Sequence, residues 1–77
     1  MTIKVRFFAS LREQIGHAEL ELADANLATV GDVWAAASQG AQPPSEVLAA
    51  VNHTTAGLEA PVQDGDEVGF FPPVTGG

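Results

Sequence analysis

The residues with the most distinctive chemical potential are the last two of the chain, Gly76-Gly77. A C-terminal carboxylate is a poor acylating group until one of its oxygens becomes part of a leaving group. An ATP-dependent partner can achieve that by forming an acyl-adenylate, but it must hold the terminus in a narrow channel. Glycine lets backbones approach closely and accepts dihedrals barred to other residues. A Cβ beside the reacting carbonyl would obstruct both the fit and the attack. With 8 glycines in 77 residues, chance places such a pair at a terminus on the order of 1% of the time, so the pair alone is a weak motif that a frayed end also explains. Its setting strengthens it: Pro72-Pro73 stands immediately before Val74-Thr75-Gly76-Gly77 and would act as a stiff spacer between the folded body and the tail.

The other reactive side chains assemble into nothing comparable. His17 and His53 are far apart and have no companions at ligand spacing, so a metal site is not expected. Asn52-His53-Thr54 matches a glycosylation acceptor by accident, since no secretory signal accompanies it. Asp64 and Asp66 flank Gly65 and read as turn residues, with no base, nucleophile or oxyanion donor around them. Ser10, Ser38 and Ser45 lack a nucleophile context. The absence of cysteine excludes disulfides, thiolate metal sites and a cysteine nucleophile. No phosphate-binding glycine loop is present, so the chain is expected to bind no cofactor and no ATP of its own.

The elements that must carry the tail follow from periodicity. Ile3, Val5 and Phe7 alternate with Lys4, Arg6 and Phe8, which marks a strand with one buried face. Residues 9–15 lose the alternation and read as a short helical turn or wide loop, stopped by Gly16. His17 to Leu22 alternates again, with Ala18, Leu20 and Leu22 inward, predicting an antiparallel hairpin with the first strand. Thr29 fits a helix N-cap with Asp32 three residues on. Val30, Val33, Trp34 and Ala37 then fall on one helical face. The helix is expected over residues 30–39, with Gly40 as its stop and Pro43-Pro44 barring continuation. Val47 to Asn52 predicts a third strand, residues 53–58 a turn and short edge strand, and Asp64-Gly65-Asp66 a turn. Glu67 to Phe71 predicts the last strand, with Val68 and Phe70 inward, and Pro72-Pro73 ends its ladder. One helix can cover only one face of such a sheet, which gives a two-layer α+β domain.

Composition bounds the rest. A chain of 77 residues makes one domain with a modest core and no room for a deep cleft. The expected division is a folded body over residues 1–71 and a projecting tail over 72–77. The net charge of −7, from 10 acids against 3 bases, would repel phosphate backbones, so no nucleic-acid partner is expected. That charge suits a basic partner surface, and equally suits plain solubility. No run approaches the length of about 20 apolar residues that spans a bilayer, and no signal peptide opens the chain, so no membrane association and a cytoplasmic location are expected.

Element order, size and tail together resemble the ubiquitin-like β-grasp proteins, with a mixed sheet of about four to five strands and one main helix across one face. Within them the sequence resembles the family of molybdopterin synthase small subunits (MoaD). Three stretches carry the likeness: Val5-Arg6-Phe7-Phe8-Ala9-Ser10-Leu11-Arg12-Glu13, Ala50-Val51-Asn52-His53-Thr54, and the segment from Asp64 to Gly77, which is the most specific. Thr55-Ala56-Gly57 is less apolar than the family's strand there, and the connection from Gly40 to Pro44 is short and proline-rich. The resemblance implies a sulfur carrier, not a catalyst on its own. An E1-like enzyme would adenylate Gly77 with ATP, and sulfur from a persulfide-bearing donor protein would replace AMP. The resulting thiocarboxylate would be offered to the large catalytic subunit for building the molybdopterin dithiolene. It implies Gly77 as the covalent site, Gly76 as the residue giving steric access, and Phe71, Pro72, Pro73, Val74 and Thr75 as partner contacts, with Phe8 and Arg12 as further candidates.

Two alternatives share parts of this pattern. A carrier of the thiamin thiazole type has the fold and the Gly-Gly end but usually lacks the Phe-Phe-Pro-Pro-Val-Thr stretch. A protein modifier would join Gly77 to amines, and a non-covalent ubiquitin-like interaction module would be indifferent to loss of Gly76 and Gly77.

Overall fold

The computed structural model describes residues 2–23, 26–40 and 47–72. In chain order the elements are β1 (Thr2–Phe7), α1 (Ser10–Ile15), β2 (Glu19–Ala23), α2 (Val30–Ala37), β3 (Leu48–Val51), β4 (Thr54–Ala56) and β5 (Glu67–Phe71). The strands form one mixed sheet in the order β2-β1-β5-β3-β4. β1 runs antiparallel to β2 and parallel to β5, while β3 runs antiparallel to both β5 and β4. The strand that leads into the tail is thus the middle one, held on both sides. This is the expected β-grasp arrangement, with α2 across one face and the short α1 as a second helix.

The inner face is set by the period of two in β1 and β5. Ile3, Val5, Phe7, Val68 and Phe70 all point under α2, which supplies Val30, Val33, Trp34 and Ala37. Leu11, Leu27, Ala49 and Val62 complete this core. At its centre the Trp34 ring meets Phe7 and Phe70 edge-on, with centroids 5.9 and 5.0 Å away. Phe7 and Phe70 are themselves stacked across the parallel strand pair at 5.7 Å. Edge-to-face and offset contacts of this kind add to the burial of the rings.

The helix starts where its sequence signals place it. Thr29 Oγ1 accepts from the Asp32 N–H at 3.2 Å, and Asp32 Oδ2 accepts from the Thr29 N–H at 3.1 Å. The same Asp32 oxygen also accepts from the Ala28 N–H at 3.1 Å. Two donors that the helix cannot satisfy internally, and the N–H of the residue before the cap, are therefore paired. Thr29→Ala is expected to lower stability by about 1 kcal/mol and the melting temperature by about 4–8 °C, while Thr29→Ser stays near the parent in a thermal melt.

The helix ends at Ala37, short of the expected end at Gln39, and the stop is not Gly40 alone. The first left-handed residue is Gln39, φ 59°, and Gly40 follows at φ 87°. The Ser38 N–H donates to Trp34 O at 2.8 Å and the Gly40 N–H to Ala35 O at 2.9 Å. That is a Schellman closure one residue early, with glutamine where glycine is usual. Two strand expectations also shift. Ala18 is exposed, not inward, because the β1–β2 ladder stops at Arg6↔Glu19 and leaves it beyond the last pair. Asn52 belongs to a turn: Asn52 (φ 51°) and His53 (φ 70°) form a two-residue connection closing Val51 onto Thr54. Both positive φ values are those a tight hairpin with native twist requires.

Candidate functional site

Gly76-Gly77 follow β5 in the chain, so the site is built from whatever fixes that strand and surrounds its end. At the entrance to β5, Gly65 adopts φ 87° and its N–H donates to Thr2 O at 2.8 Å. Asp64 Oδ1 accepts from the Thr2 N–H at 2.7 Å, and the Asp66 carboxylate accepts from the Gln63 N–H at 2.7 Å. Asn52 then joins the β3–β4 turn to the strand. Its N–H donates to Glu67 O, its side-chain carbonyl accepts from the Glu67 N–H at 3.0 Å, and its Nδ2 donates to Asp66 Oδ1 at 3.0 Å. Asp64 and Asp66 are thus turn and capping groups, in keeping with their spacing around Gly65.

At the other end, β5 stops at Phe71 and the half-buried Pro72 follows. Pro73, Val74, Thr75, Gly76 and Gly77 lie outside the described residues. The face of the sheet turned away from α2 presents Phe8, Gly69, Phe71, Leu48, Ala50 and Thr55 beside this exit. Phe8 and Phe71 are stacked almost parallel, with centroids 4.6 Å apart and planes at 9°. Leu48 lies opposite Phe71 in the ladder and is 44% exposed; Phe8 is 38% exposed. Together they border a shallow concavity of about 300 Å³, whose rim carries Arg6, His53 and Glu67. Arg6 reaches Glu19 at 3.4 Å and Glu67 at 3.8 Å, and His53 Nε2 lies 3.7 Å from Glu67. These pairs are solvent-facing and contribute little to stability, but they ring the apolar centre with charge.

Phe8 is placed by its backbone as much as by its ring. Its N–H donates to Phe70 O at 3.1 Å, and its carbonyl accepts from the Leu11 N–H at 3.2 Å. Ala9 follows at φ 54°, ψ −132°, a conformation that costs a non-glycine residue about 1–3 kcal/mol and that turns the chain sharply into α1.

Of the residues singled out from sequence, the structure therefore gathers Phe8, Phe71 and Pro72 at one place. Arg12 is not among them: it sits exposed on α1 and makes no ion pair among the described residues. Two members of the face escape a reading of the sequence. Leu48 looks like part of an apolar run, and Gly69 looks like any strand residue, although a glycine inside a strand and beside aromatics is itself a sign of close approach. Among the described residues no group of three or more His, Asp or Glu side chains stands together to hold a metal ion.

A family model described as the ThiS family matches residues 5–77. The chain is 43% identical over 84 aligned positions to the molybdopterin synthase sulfur carrier subunit of Escherichia coli strain K12, covering 97% of this chain and 99% of that one. In structure it is similar to SAMP1 of Haloferax volcanii, with a TM-score of 0.78, 27% identity and full coverage of both chains. It is also similar to a chain in a complex of subunits 1 and 2 of the molybdopterin-converting factor from Helicobacter pylori, with a TM-score of 0.63, 26% identity and full coverage of both chains.

Proposed function

The chain belongs to the ThiS family, and from that premise we propose that it is the sulfur carrier subunit of a molybdopterin synthase. The observation that carries this reading is that the family match extends to residue 77, so that Gly76-Gly77 falls inside it. The geometry supports it: the strand feeding the tail is central and doubly paired, and an apolar face surrounds its exit.

The chemistry follows from a carboxylate that must become an acyl donor. ATP, held by an E1-like partner, converts the Gly77 carboxylate into an acyl-adenylate with loss of pyrophosphate. A persulfide on a donor protein attacks the carbonyl and AMP leaves. A thiol then cleaves the acyl disulfide, and a thiocarboxylate remains on Gly77. The sulfur rides on the carbonyl carbon, so a chain without cysteine can carry it. This chain contributes no catalytic group and binds no cofactor; its part is to be recognised, to insert its tail and to deliver. Gly76 leaves the space beside the reacting carbonyl open.

Docking on the large catalytic subunit uses the exposed sheet face, with Phe8, Phe71 and Pro72 at its centre and Pro73, Val74 and Thr75 entering the partner with the tail. The H. pylori neighbour, solved as a two-subunit complex, supports such a partner. An apolar centre within a charged rim is the usual anatomy of a protein interface. Arg12 lies apart from this face and contacts the partner at its margin. The work is placed in the cytoplasm, where ATP is available. No helix among the described residues is long and apolar enough to cross a membrane.

A modifier reading has one observation in its favour, the likeness to SAMP1, which is named a small archaeal modifier protein. The test separates the two. The full chain is incubated with ATP, a sulfur donor and an E1-like enzyme, and its intact mass is read before and after thiol alkylation. A sulfur-for-oxygen gain that becomes alkylatable is the expected result. Amide adducts to protein amines without such a gain would favour the modifier. An unchanged mass, with the enzyme shown to work on another carrier, would sink both.

A further inference from the structure

Gly69 sits in the middle of β5, in register with Arg6 on one side and Ala50 on the other, and it is buried although it faces the outer side of the sheet. What buries it is the aromatic pair. A Cβ built on Gly69 would lie 3.1 Å from Phe8 Cε2, 3.5 Å from Phe71 Cζ and 3.6 Å from Phe71 Cε2. The backbone does not demand glycine here: among the described residues the positive-φ glycines are Gly16, Gly40 and Gly65, and Gly69 is not one of them. A strand interior normally disfavours glycine. The need at this position is therefore for space above the sheet.

The crowding falls on ring edges, not on backbone. Phe8 lies at the sheet surface, 38% exposed, so its side chain can swing into solvent when something is placed beneath it. A larger residue at 69 would consequently leave the inner core alone and open the pair. Phe71 is the last residue of β5, directly before Pro72, so the pair stands at the end of the last described strand.

We propose that Gly69 is a positioning residue for sulfur delivery: it is the seat on which Phe8 closes over Phe71, and through that closure it sets the flat docking face at the base of the tail. This rests on the carrier reading given above. Gly69 touches neither the sulfur nor the reacting carbon, and it acts through Phe8.

The experiment compares the wild-type chain, Gly69→Ala, Gly69→Val, Phe8→Ala and Phe8→Ala combined with each change at 69, all full-length. Valine is chosen because a β-branched side chain is favourable in a strand. Three quantities are read: ring-proton chemical shifts of Phe8 and Phe71, Kd for the large synthase subunit, and the single-turnover rate of sulfur transfer at saturating subunit. Gly69→Val is expected to remove the mutual ring-current shifts and to weaken binding by about tenfold, as loss of a packed aromatic anchor does. In the Phe8→Ala background the same substitution is expected to cost nothing further, because the group it displaces is already gone. Should Gly69→Val not fold, Gly69→Ala carries the test at smaller amplitude, roughly two- to threefold, with the same disappearance in the Phe8→Ala background. Equal losses in both backgrounds, or parted rings with wild-type binding and transfer, overturn the proposal. A wild-type chain that does not bind the large subunit overturns the carrier reading as well, and is recognised because it fails before any substitution is made.

Discussion

A chain ending at Thr75 is expected to melt with the full-length protein and to acquire no sulfur at all. The two properties separate because the last described element ends at Phe71, while the proposed reacting carbon belongs to Gly77. Among the described residues no core residue lies beyond Phe70, so removing Gly76 and Gly77 takes nothing from that packed interior. What it takes is the group that ATP activates and the residue that leaves room beside it. A new terminal carboxylate at Thr75 would still be a carboxylate, but it would stop two residues short of a partner channel. It would also carry a β-branched side chain next to the carbonyl, where attack needs open approach. Rate depends steeply on such placement: about 1 Å of displacement can cost about a hundredfold, and two residues span roughly 7 Å of extended chain. The measurement is intact mass after incubation with ATP, sulfur donor and activating enzyme, with full-length chain in a parallel tube. Sulfur on the truncated chain would show that the carbonyl of Gly77 is not where the sulfur rides. A truncated chain that is no longer folded would instead show that the tail belongs to the domain.

Much of the fold can be read from the sequence alone. The period of two in Ile3, Val5 and Phe7 and in Val68 and Phe70 reports a local fact, that one side of a strand is dry, and needs no knowledge of its neighbours. The Thr29–Asp32 cap is readable for the same reason, since both partners lie within one turn. What escapes such a reading is information held elsewhere in the chain. Ala18 has inward parity, but the ladder ends at Glu19, and only the partner strand determines that. Asn52 reads as the end of an apolar run until its side chain is seen bonding Asp66 and Glu67, 14 and 15 residues away.

The site divides along the same line. Gly76-Gly77 are proposed from their chemistry alone and lie outside the described residues. The exposed face cannot be read from the sequence, because it is assembled from three strands. Phe8 leaves β1, Gly69 and Phe71 belong to β5, and Leu48 opens β3. Nothing in the local sequence of Leu48 distinguishes it from a core leucine. Its exposure follows from its register opposite Phe71, which points outward. Arg12 differs again: it is attractive as a rare base near Phe8 in sequence, but it follows the sharp turn at Ala9 onto α1 and is not among the residues that line the concavity.

Phe70 and Phe71 are chain neighbours on opposite faces of the same strand, and their alanine variants are expected to fail in opposite ways. Phe70 is fully buried, stacked on Phe7 and met edge-on by Trp34. Phe70→Ala leaves a ring-sized void beneath α2 and is expected to cost about 3–5 kcal/mol. At about 0.05–0.15 kcal/mol per residue, 77 residues amount to only about 4–12 kcal/mol in all. The variant should therefore melt at least about 12 °C lower and be substantially unfolded if the parent sits at the bottom of that range. Its folded fraction should still load sulfur, since neither the tail nor the outer face has changed. Phe71→Ala removes a half-buried ring whose main partner is Phe8 at the surface. It is expected to cost about 1 kcal/mol or slightly more in stability, the added worth of an aromatic pair, while weakening large-subunit binding by about tenfold or more, the loss of an interface anchor. Thermal melts and binding curves on both variants decide the matter together. If Phe70→Ala melts within a few degrees of the parent, the Phe7–Trp34–Phe70 cluster is not the centre of the core. If Phe71→Ala binds the large subunit as the parent does, the outer face is not where that subunit docks, and the tail alone must account for recognition.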